Sequence, residues 1–443
     1  MNYLPNEFLK EFNKKALQVI EKEKFSQWVG KVSKINGLMI EASIPGATIG
    51  ELCNIITDSG DNRIAEIVGF RDDVSLLLLL GAGGGLHQGS KVYPTGKMLK
   101  IPVGWSMLGR IVDSLGRPLD NKPLEYIDEW RGIDNDPPEA YGRPRIDTIF
   151  ATGVKTIDSL LTLGVGQRVG LFAGSGVGKS TLMGMIARCS DSEVNIIALV
   201  GERGREVQDF IEQSLGEEGL KKSIVVIATS DQPPMFRLKC LYTATTMAEF
   251  FRDQGKKVLL MVDSVTRTAM AGREVGLSVG EPPTMKGYTP SVFALLPRLL
   301  ERAGYSEKGS ITAIYSTLVD GDDFNEPIAD AVRGILDGHI VLSRAIAAKN
   351  HFPAIDVLAS VSRLFPELAN QEHQKAAGDI RNMMALYKNS EDLITIGAYT
   401  GGDRNLDRAI NLNEKINDFL KQDIYSCFDI KHTVEELEKL SAL

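Results

Sequence analysis

The chain has 443 residues, 43% of them hydrophobic and 24% charged, a balance typical of a soluble globular protein with two or three domains. Its formal charge of −8 argues against a protein that coats nucleic acid, although a local basic channel would be compatible with it. The longest apolar run, residues 76–80, is too short to span a bilayer, and no secretory signal is visible. These features predict a cytoplasmic protein whose contact with a membrane, if any, is peripheral.

Four cysteines are scattered along the chain without the spacing of a metal site or of a CxxC motif. They are Cys53, Cys189, Cys240 and Cys427. This arrangement predicts free, buried or neutral thiols that serve as small core residues in a reducing compartment.

The N-terminal part of the chain contains two different patterns. Residues 1–24 place apolar side chains at helical spacing, interrupted by charges, which predicts a short amphipathic helix. This helix is either a solvated tail or a docking element for a partner or a membrane surface. Residues 25–100 contain short β-type runs separated by turn residues, which predicts a small β-barrel domain. Because the barrel has few aromatic residues and no basic residues interleaved with them, we expect no nucleic-acid binding there.

The remainder of the chain predicts an α/β core followed by helices. A connector rich in proline, glycine and acidic residues, at 134–145, precedes a region in which aliphatic runs alternate with helical patterns. Runs that are apolar on both faces belong to a parallel sheet covered by helices, so residues 101–365 are expected to form an α/β domain. Farther on the periodicity is helical, and residues 366–443 are expected to form a C-terminal helical domain.

Residues 173–181, with the sequence AGSGVGKST, follow an aliphatic run and precede a helical pattern. This context is that of a P-loop, in which glycines let the backbone N–H groups converge on phosphate oxygens. Lys179 is expected to contact the β- and γ-phosphates of ATP, and Ser180 to supply a hydroxyl ligand to Mg²⁺. The strict pattern opens with glycine, but a small residue such as Ala173 should still allow the loop to turn. The expected nucleotide-binding residues are Gly174, Ser175, Gly176, Val177, Gly178, Lys179, Ser180 and Thr181.

Two carboxylates are expected to complete a site for hydrolysis. An aliphatic run ends in Asp263, which matches the Walker B carboxylate that orients Mg²⁺. A second aliphatic run leads into the sequence GERGRE, which contains Glu202. In a RecA-like sheet we expect this run to lie beside the P-loop strand, so that Glu202 points at the γ-phosphate as general base. Arg203 and Arg205 are expected to face phosphate or a subunit interface; the alternative is an exposed loop whose charges pair with one another.

Several long stretches outside the phosphate site carry a family resemblance. They are FRDQGK at 251–256, VDSVTR at 262–267, GEPPTMKGYTPSVF at 280–293, PRLLERAG at 297–304, GDDFNEPIAD at 321–330 and ILDGHIVLSR at 335–344. Together with the P-loop and GERGRE, they resemble the export ATPases of the bacterial flagellum and of type III secretion systems, which are relatives of the catalytic subunit of rotary ATP synthases. The likeness covers essentially the whole chain. It implies a RecA-like parallel-sheet core with an N-terminal β-barrel and a C-terminal helical domain.

The resemblance also implies an assembly and further site residues. It implies a homohexameric ring with a nucleotide at each subunit interface, and that Arg363, in the sequence ASVSR, is an arginine finger reaching into the neighbouring site. Phe352, in HFPAID, matches the aromatic residue that packs on adenine, and Tyr425 is a looser match for a cover on the other side of the base. Arg267 matches an arginine near the γ-phosphate. The catalytic residues expected on this basis are Lys179, Glu202, Arg203, Asp263 and Arg363.

Two departures within the resemblance bear on function. The noncatalytic subunit of rotary synthases lacks an acid at the position of Glu202, whereas this chain has one. The acidic helix–loop that acts on the rotor in the synthase is replaced by GAYTGGDRN at 397–405, so proton-coupled synthesis is not expected. Residues 280–288, 322–327 and 388–399 resemble flagellar members more than virulence members. We therefore expect a flagellar role, with an injectisome role as the alternative.

The family implies several partners for such an ATPase. They are a stator or regulator protein, a central stalk protein, export chaperones and the export gate, with peripheral association at the inner face of the cell membrane. A different hypothesis is an ATP-dependent docking or assembly ring in which hydrolysis is incidental. A third, a nucleic-acid motor of the transcription-terminator kind, shares the core but is disfavoured by the acidic charge and the aromatic-poor barrel.

Overall fold

The computed structural model describes residues 28–139, 141, 143–319 and 326–443. The helix predicted at 1–24 and the loop at 321–325 lie outside the described residues. The chain divides into two compact units, one ending at Leu99 and the other beginning at Lys100. Within the described part of the chain, no helix is both long enough and apolar enough to cross a membrane.

The first unit contains a closed antiparallel β-barrel. Its strands are β1 (Gly30–Asn36), β2 (Met39–Ser43), β3 (Glu51–Ile56), β4 (Asn62–Arg71), β5 (Val74–Leu79) and β6 (Lys91–Met98). Their order around the barrel is β1-β2-β5-β4-β3-β6. Successive side chains of a strand point to opposite faces, and alternating residues such as Cys53 and Ile55 fill the barrel core. The predicted β-barrel is confirmed.

The second unit is built on a large sheet whose strands are mostly parallel. Its strands and the short strand pairs beside it are β7 (Lys100–Val103), β8 (Ile111–Asp113), β9 (Glu129–Gly132), β10 (Ile149–Phe150), β11 (Leu163–Gly164), β12 (Arg168–Ala173), β13 (Val194–Glu202), β14 (Ser223–Thr229), β15 (Lys257–Asp263), β16 (Gly304–Tyr305), β17 (Ser310–Leu318), β18 (Gly338–Leu342) and β19 (Val361–Ser362). The sheet order is β19-β18-β12-β17-β15-β13-β14-β8, with β19 antiparallel at one edge.

Helices connect and cover these strands. They are α1 (Lys155–Leu160), α2 (Lys179–Cys189), α3 (Gly204–Asp209), a π-helical stretch (Phe210–Leu215), α4 (Gly216–Lys221), α5 (Pro234–Asp253), α6 (Val265–Ser278), α7 (Pro290–Leu300), α8 (Pro327–Ile335), α9 (Arg344–Ala348), α10 (Phe365–Leu368), α11 (Gln371–Thr395), α12 (Arg404–Leu420) and α13 (Ile430–Ser441). The central strands are buried along almost their whole length, as expected for a parallel sheet covered on both faces.

The last three helices form the predicted C-terminal helical region. Each begins at a residue whose side-chain oxygen accepts hydrogen bonds from the first-turn N–H groups: Asn370, Asp403 and Asp429. Their apolar faces meet in one cluster that includes Ile380 and Leu412. This cluster also contains Leu160 of α1, so the helical region is packed onto the sheet domain.

The structure corrects two expectations from the sequence. Strand β13, which ends at Glu202, does not lie beside the P-loop strand β12, because β17 and β15 are inserted between them. The expectation of free thiols holds for Cys53 and Cys240, which are buried and unpaired, but is wrong for the other two cysteines. Cys189 and Cys427 form a disulfide, because the fold brings together residues that are 238 positions apart in the sequence.

Candidate active site

The P-loop connects β12 to α2 and bends where glycine allows it. Gly176 and Gly178 have φ angles of 79° and 89°, a region that favours glycine. Ala173 ends β12 in an extended conformation, so this position does not require glycine. A Cβ atom added to Gly174 would lie 2.8 Å from the guanidinium of Arg344, so the loop is packed closely against the start of α9. Val177 is buried in the core beneath the loop.

A cavity of 630 Å³, which we call the phosphate cavity, opens above the P-loop at the carboxyl ends of the parallel strands. Its lining combines the P-loop with side chains from β13, β15 and α6. The Lys179 ammonium donates a hydrogen bond to Oδ1 of Asp263. The Ser316 hydroxyl donates to the same oxygen at 2.9 Å. The lysine and the carboxylate that were predicted to contact the triphosphate and Mg²⁺ therefore meet in one cavity.

Glu202 lines the same cavity and is only 8% exposed. Burial and the nearby Asp263 carboxylate raise the pKa of Glu202 to about 7, whereas Lys179 and Arg267 act in the opposite direction. The Nε atom of Arg267 lies 3.2 Å from Oε1 of Glu202. A carboxyl group with a pKa near neutrality can accept a proton from water and release it again at physiological pH.

Arg203 lies at the rim of the cavity. Its side chain is largely exposed and forms an ion pair with Glu206 at 3.4 Å. Arg205 is also exposed and pairs with Asp209 at 3.7 Å. The segment after Glu202 is therefore the alternative that the sequence left open, an exposed loop whose charges pair with one another. Glu202 itself lies inside the cavity.

A smaller cavity of 230 Å³ adjoins the first, because Gly178 and Thr181 line both. Its other walls are mainly apolar and include Phe352. A Cβ atom added to Gly178 would lie 3.7 Å from the Phe352 ring. The size and lining of this cavity, which we call the base cavity, suit a flat aromatic base. Tyr425 is exposed and is not among the lining residues, although its neighbour Ile424 is.

Arg363 lies far from the phosphate cavity of its own chain. It follows β19, and its N–H donates to the carbonyl of Asp337 at 3.1 Å. The N–H of Asp337 in turn donates to the carbonyl of Arg168, the first residue of β12. The P-loop follows the opposite end of β12, about 17 Å away along a six-residue strand. The structure does not bring Arg363 together with the other predicted catalytic residues of the same chain.

The oxygen donors at the phosphate cavity fit a magnesium ion. Ser180 and Asp263 provide a hydroxyl and a carboxylate, the hard donors that Mg²⁺ prefers. Among the described residues no group of three or more His, Cys, Asp and Glu side chains could form a protein-only metal cage. A site with one carboxylate suits Mg²⁺, which commonly takes further ligands from water and substrate phosphates.

Three residues near the two cavities were missed by the sequence reasoning. Ser316 contacts Asp263, Arg344 contacts the P-loop, and Gln422 lines the base cavity. Each belongs to an element that is remote in sequence from the P-loop. The only local signal was Arg344, the last residue of one of the stretches on which the family resemblance rests.

Fold and site together define a P-loop nucleoside triphosphatase with a RecA-like core, an N-terminal β-barrel and a C-terminal helical region. Residues 153–362 match a family model for the nucleotide-binding domain of the ATP synthase alpha/beta family, and residues 32–96 match its β-barrel domain. Residues 369–439 match the C-terminal domain of the type III secretion ATPase EscN.

Individual proteins give the same result. The flagellum-specific ATP synthase of Bacillus subtilis is 54% identical over 89% of this chain and 90% of its own. The type 3 secretion system ATPase of Xanthomonas euvesicatoria is 48% identical over 93% of this chain and 94% of its own. The assembled ATPase EscN of enteropathogenic E. coli, solved alone and with its central stalk EscO, is 46% identical with a TM-score of 0.87, covering 93% of this chain and 100% of EscN. The chain therefore belongs to the flagellar and type III secretion ATPases of the ATP synthase alpha/beta family.

Proposed function

We propose that this ATPase hydrolyses ATP with Mg²⁺ to drive protein export through a type III system. One observation carries the proposal: the buried Glu202 carboxylate lines the same cavity as Lys179 and Asp263. A site that only binds nucleotide has no need of this acid. Hydrolysis, in contrast, needs a group that orients water and accepts its proton.

The proposed reaction divides the work among the side chains of the cavity. Backbone N–H groups of the P-loop and the N-terminus of α2 hold the phosphates, and Lys179 exchanges Asp263 for the terminal phosphates. Ser180 and Asp263 would hold Mg²⁺, which neutralises charge on the phosphate oxygens when bound. Glu202 orients the attacking water and accepts its proton. Arg267, 3.2 Å from Glu202, holds that carboxylate in the cavity.

We also propose that a second copy of the chain completes the site. Arg363 lies at the opposite end of β12 from the P-loop, so its guanidinium is remote from its own site. The side chain is exposed and donates a hydrogen bond to the carbonyl of Arg333 at 3.4 Å, a contact that a neighbouring chain could replace. An arginine supplied across an interface can contribute about 10³–10⁵ in rate. A homohexameric ring with a nucleotide at each interface would use every Arg363 in this way, and the related EscN is an assembled ATPase.

The partners are proposed from the relatives. EscN binds a central stalk, EscO, and we propose a stalk protein for this chain as well, together with a stator or regulator, export chaperones and the export gate. These partners would locate the cytoplasmic ring at the inner face of the cell membrane. We propose the flagellar system, in keeping with the flagellar resemblance of residues 280–288 and 388–399; the injectisome is the alternative.

The test is Glu202→Gln in the full chain, which keeps the size of the side chain and removes the base. ATP binding should persist, turnover should fall by about 10²–10⁴, and export of flagellar proteins into the medium should fall with it. Glu212→Gln is the matched control. Glu212 is an exposed acid in the connection between β13 and β14, and its carboxylate accepts a hydrogen bond from the Gln208 side chain. This variant should leave turnover and export unchanged.

Other outcomes separate the hypotheses. Normal export without turnover would contradict the motor and favour a docking ring. Loss of effector secretion with intact motility would move the proposal from the flagellum to the injectisome.

A further inference from the structure

The disulfide joins the P-loop helix to a wall of the base cavity. Cys189 is the last residue of α2, and Cys427 lies in the segment 421–429 between α12 and α13. Their Cα atoms are 5.3 Å apart. The same segment contributes Gln422 and Ile424 to the lining of the base cavity, and α2 contributes Thr181, Leu182 and Met185. The bond therefore links two elements that enclose the base.

The segment 421–429 also rests on its surroundings through noncovalent contacts. The guanidinium of Arg188 donates to the carbonyl of Ile424 and lies 5.5 Å from the ring of Tyr425. The Gln422 side chain accepts from the N–H of Lys155 at 2.9 Å and donates to the carbonyl of Gly153 at 2.9 Å. These contacts can hold the segment near its place after the disulfide is opened, so reduction should loosen the wall and leave the fold intact.

The two bonded cysteines differ from the other two in access to solvent. Cys427 is exposed and Cys189 is partly buried, whereas Cys53 and Cys240 are completely buried. Burial raises the pKa of the Cys53 and Cys240 thiols to about 12. Because the thiolate is the reactive form of cysteine, an oxidant in solution would discriminate between the two sets.

We propose that Cys189 and Cys427 are a redox-responsive thiol pair whose oxidation fixes the base-cavity wall to the P-loop helix and strengthens nucleotide binding. In a reducing compartment, disulfides that do form are usually transient and catalytic or redox-sensing. Oxidised glutathione is a sufficient oxidant: one cysteine thiolate attacks its disulfide and releases one glutathione, and the second cysteine then displaces the other glutathione. The two thiols become one disulfide, and the oxidant becomes two glutathione thiols.

The direction of the effect follows from preorganisation. In the oxidised protein the segment 421–429 is already fixed against α2, so less conformational freedom is lost when a nucleotide binds. We expect the oxidised form to bind ATP about three- to tenfold more tightly than the reduced form. This inference rests on the proposed nucleotide function, because it concerns regulation of the same site.

The experiment compares the full chain in oxidised and in reduced glutathione, with Mg²⁺ present. Alkylation of free thiols and peptide mass analysis should show Cys189 bonded to Cys427 in the first state only. Titration with a fluorescent ATP analogue should then show the affinity difference. Cys427→Ser, a change at an exposed position, should bind the analogue with the reduced-state affinity in both buffers.

Each remaining outcome overturns the inference. Four alkylated cysteines in the oxidised chain, counted after unfolding in urea so that the buried Cys53 and Cys240 also react, would mean that the pair does not form. A bonded pair with equal affinities in both states would mean that it does not act on the site. A redox response that persists in Cys427→Ser would assign the effect to other thiols. Failure of the analogue to bind in either state would contradict the proposed nucleotide function itself and remove the inference with it.

Discussion

Mixing two inactive variants should restore hydrolysis if neighbouring chains share each site. Glu202→Gln removes the proposed base from its own cavity, and Arg363→Ala removes the guanidinium that would reach the cavity of the neighbouring chain. Within one chain the two positions cannot cooperate, because Arg363 lies at the amino end of β12, about 17 Å along the strand from the P-loop. Each variant alone should lose about 10²-fold or more of its turnover.

The recovered activity can be estimated from the geometry of a closed ring. In a random one-to-one mixture, half of the sites keep the carboxylate and half of their neighbours keep the guanidinium, so about a quarter of the interfaces are complete. If interfaces act independently, ATPase activity should rise to about a quarter of the wild-type rate. Phosphate release at fixed total protein concentration measures it.

Two controls make the mixing result decisive. Co-purification of an affinity-tagged variant with its untagged partner shows that mixed assemblies form. Arg333→Ala tests the general loss of positive charge near Arg363, because the Arg333 carbonyl accepts a hydrogen bond from the Arg363 guanidinium. The Arg333 side chain pairs with Asp330 of its own helix at 2.8 Å, so this variant should retain activity. A co-assembled mixture no more active than its better component would refute the shared site. Substantial turnover by Arg363→Ala alone would refute the role of that guanidinium.

Further predictions concern the metal, pH and stability. Ser316→Ala removes a hydrogen bond to Asp263, so the Mg²⁺ concentration for half-maximal activity should rise about tenfold or more in a metal titration. Burial and the nearby Asp263 raise the pKa of Glu202 to about 7, so in acid this carboxyl group is protonated and cannot accept a proton from water. We therefore expect kcat/KM to fall below a pH of about 7 and to level off above it. A kcat/KM that does not change on the acid side would contradict this prediction. Glu249→Gln breaks a buried bidentate pair with Arg302, so urea unfolding should show a loss of about 3–5 kcal/mol.

The parts of the fold that could be predicted are those encoded in local patterns. The P-loop could be placed because its glycines, lysine and flanking strand and helix lie within one short stretch. The barrel follows from short β-type runs separated by turn residues, and the C-terminal helices follow from a periodicity of 3.6 residues. Glu202 was expected in the site because its strand was expected to lie beside the P-loop strand, and that neighbourhood is wrong. Glu202 still lines the cavity because it ends a buried strand, and the parallel strands of a sheet share one carboxyl edge.

The parts that could not be predicted depend on contacts between remote segments. The order of strands is set by the crossover connections, so β17, late in the chain, is inserted next to β12 without any local signal. The disulfide joins residues 238 positions apart. Ser316 is an ordinary serine at a strand position, and its contact with Asp263 exists only once β17 and β15 are paired.

The unexpected strand order suits the proposed chemistry better than the order that we predicted. Adjacent strands lie about 4.8 Å apart, so the carboxyl end of β13 is about 14 Å across the sheet from that of β12. Asp263 on β15 lies between them, held by Ser316 of β17. The P-loop, the carboxylate that is proposed to hold Mg²⁺ and the proposed general base therefore follow one another across this edge of the sheet. A base on the strand next to the P-loop would compete for space with the phosphates, whereas the two inserted strands leave room for a terminal phosphate and the water that attacks it.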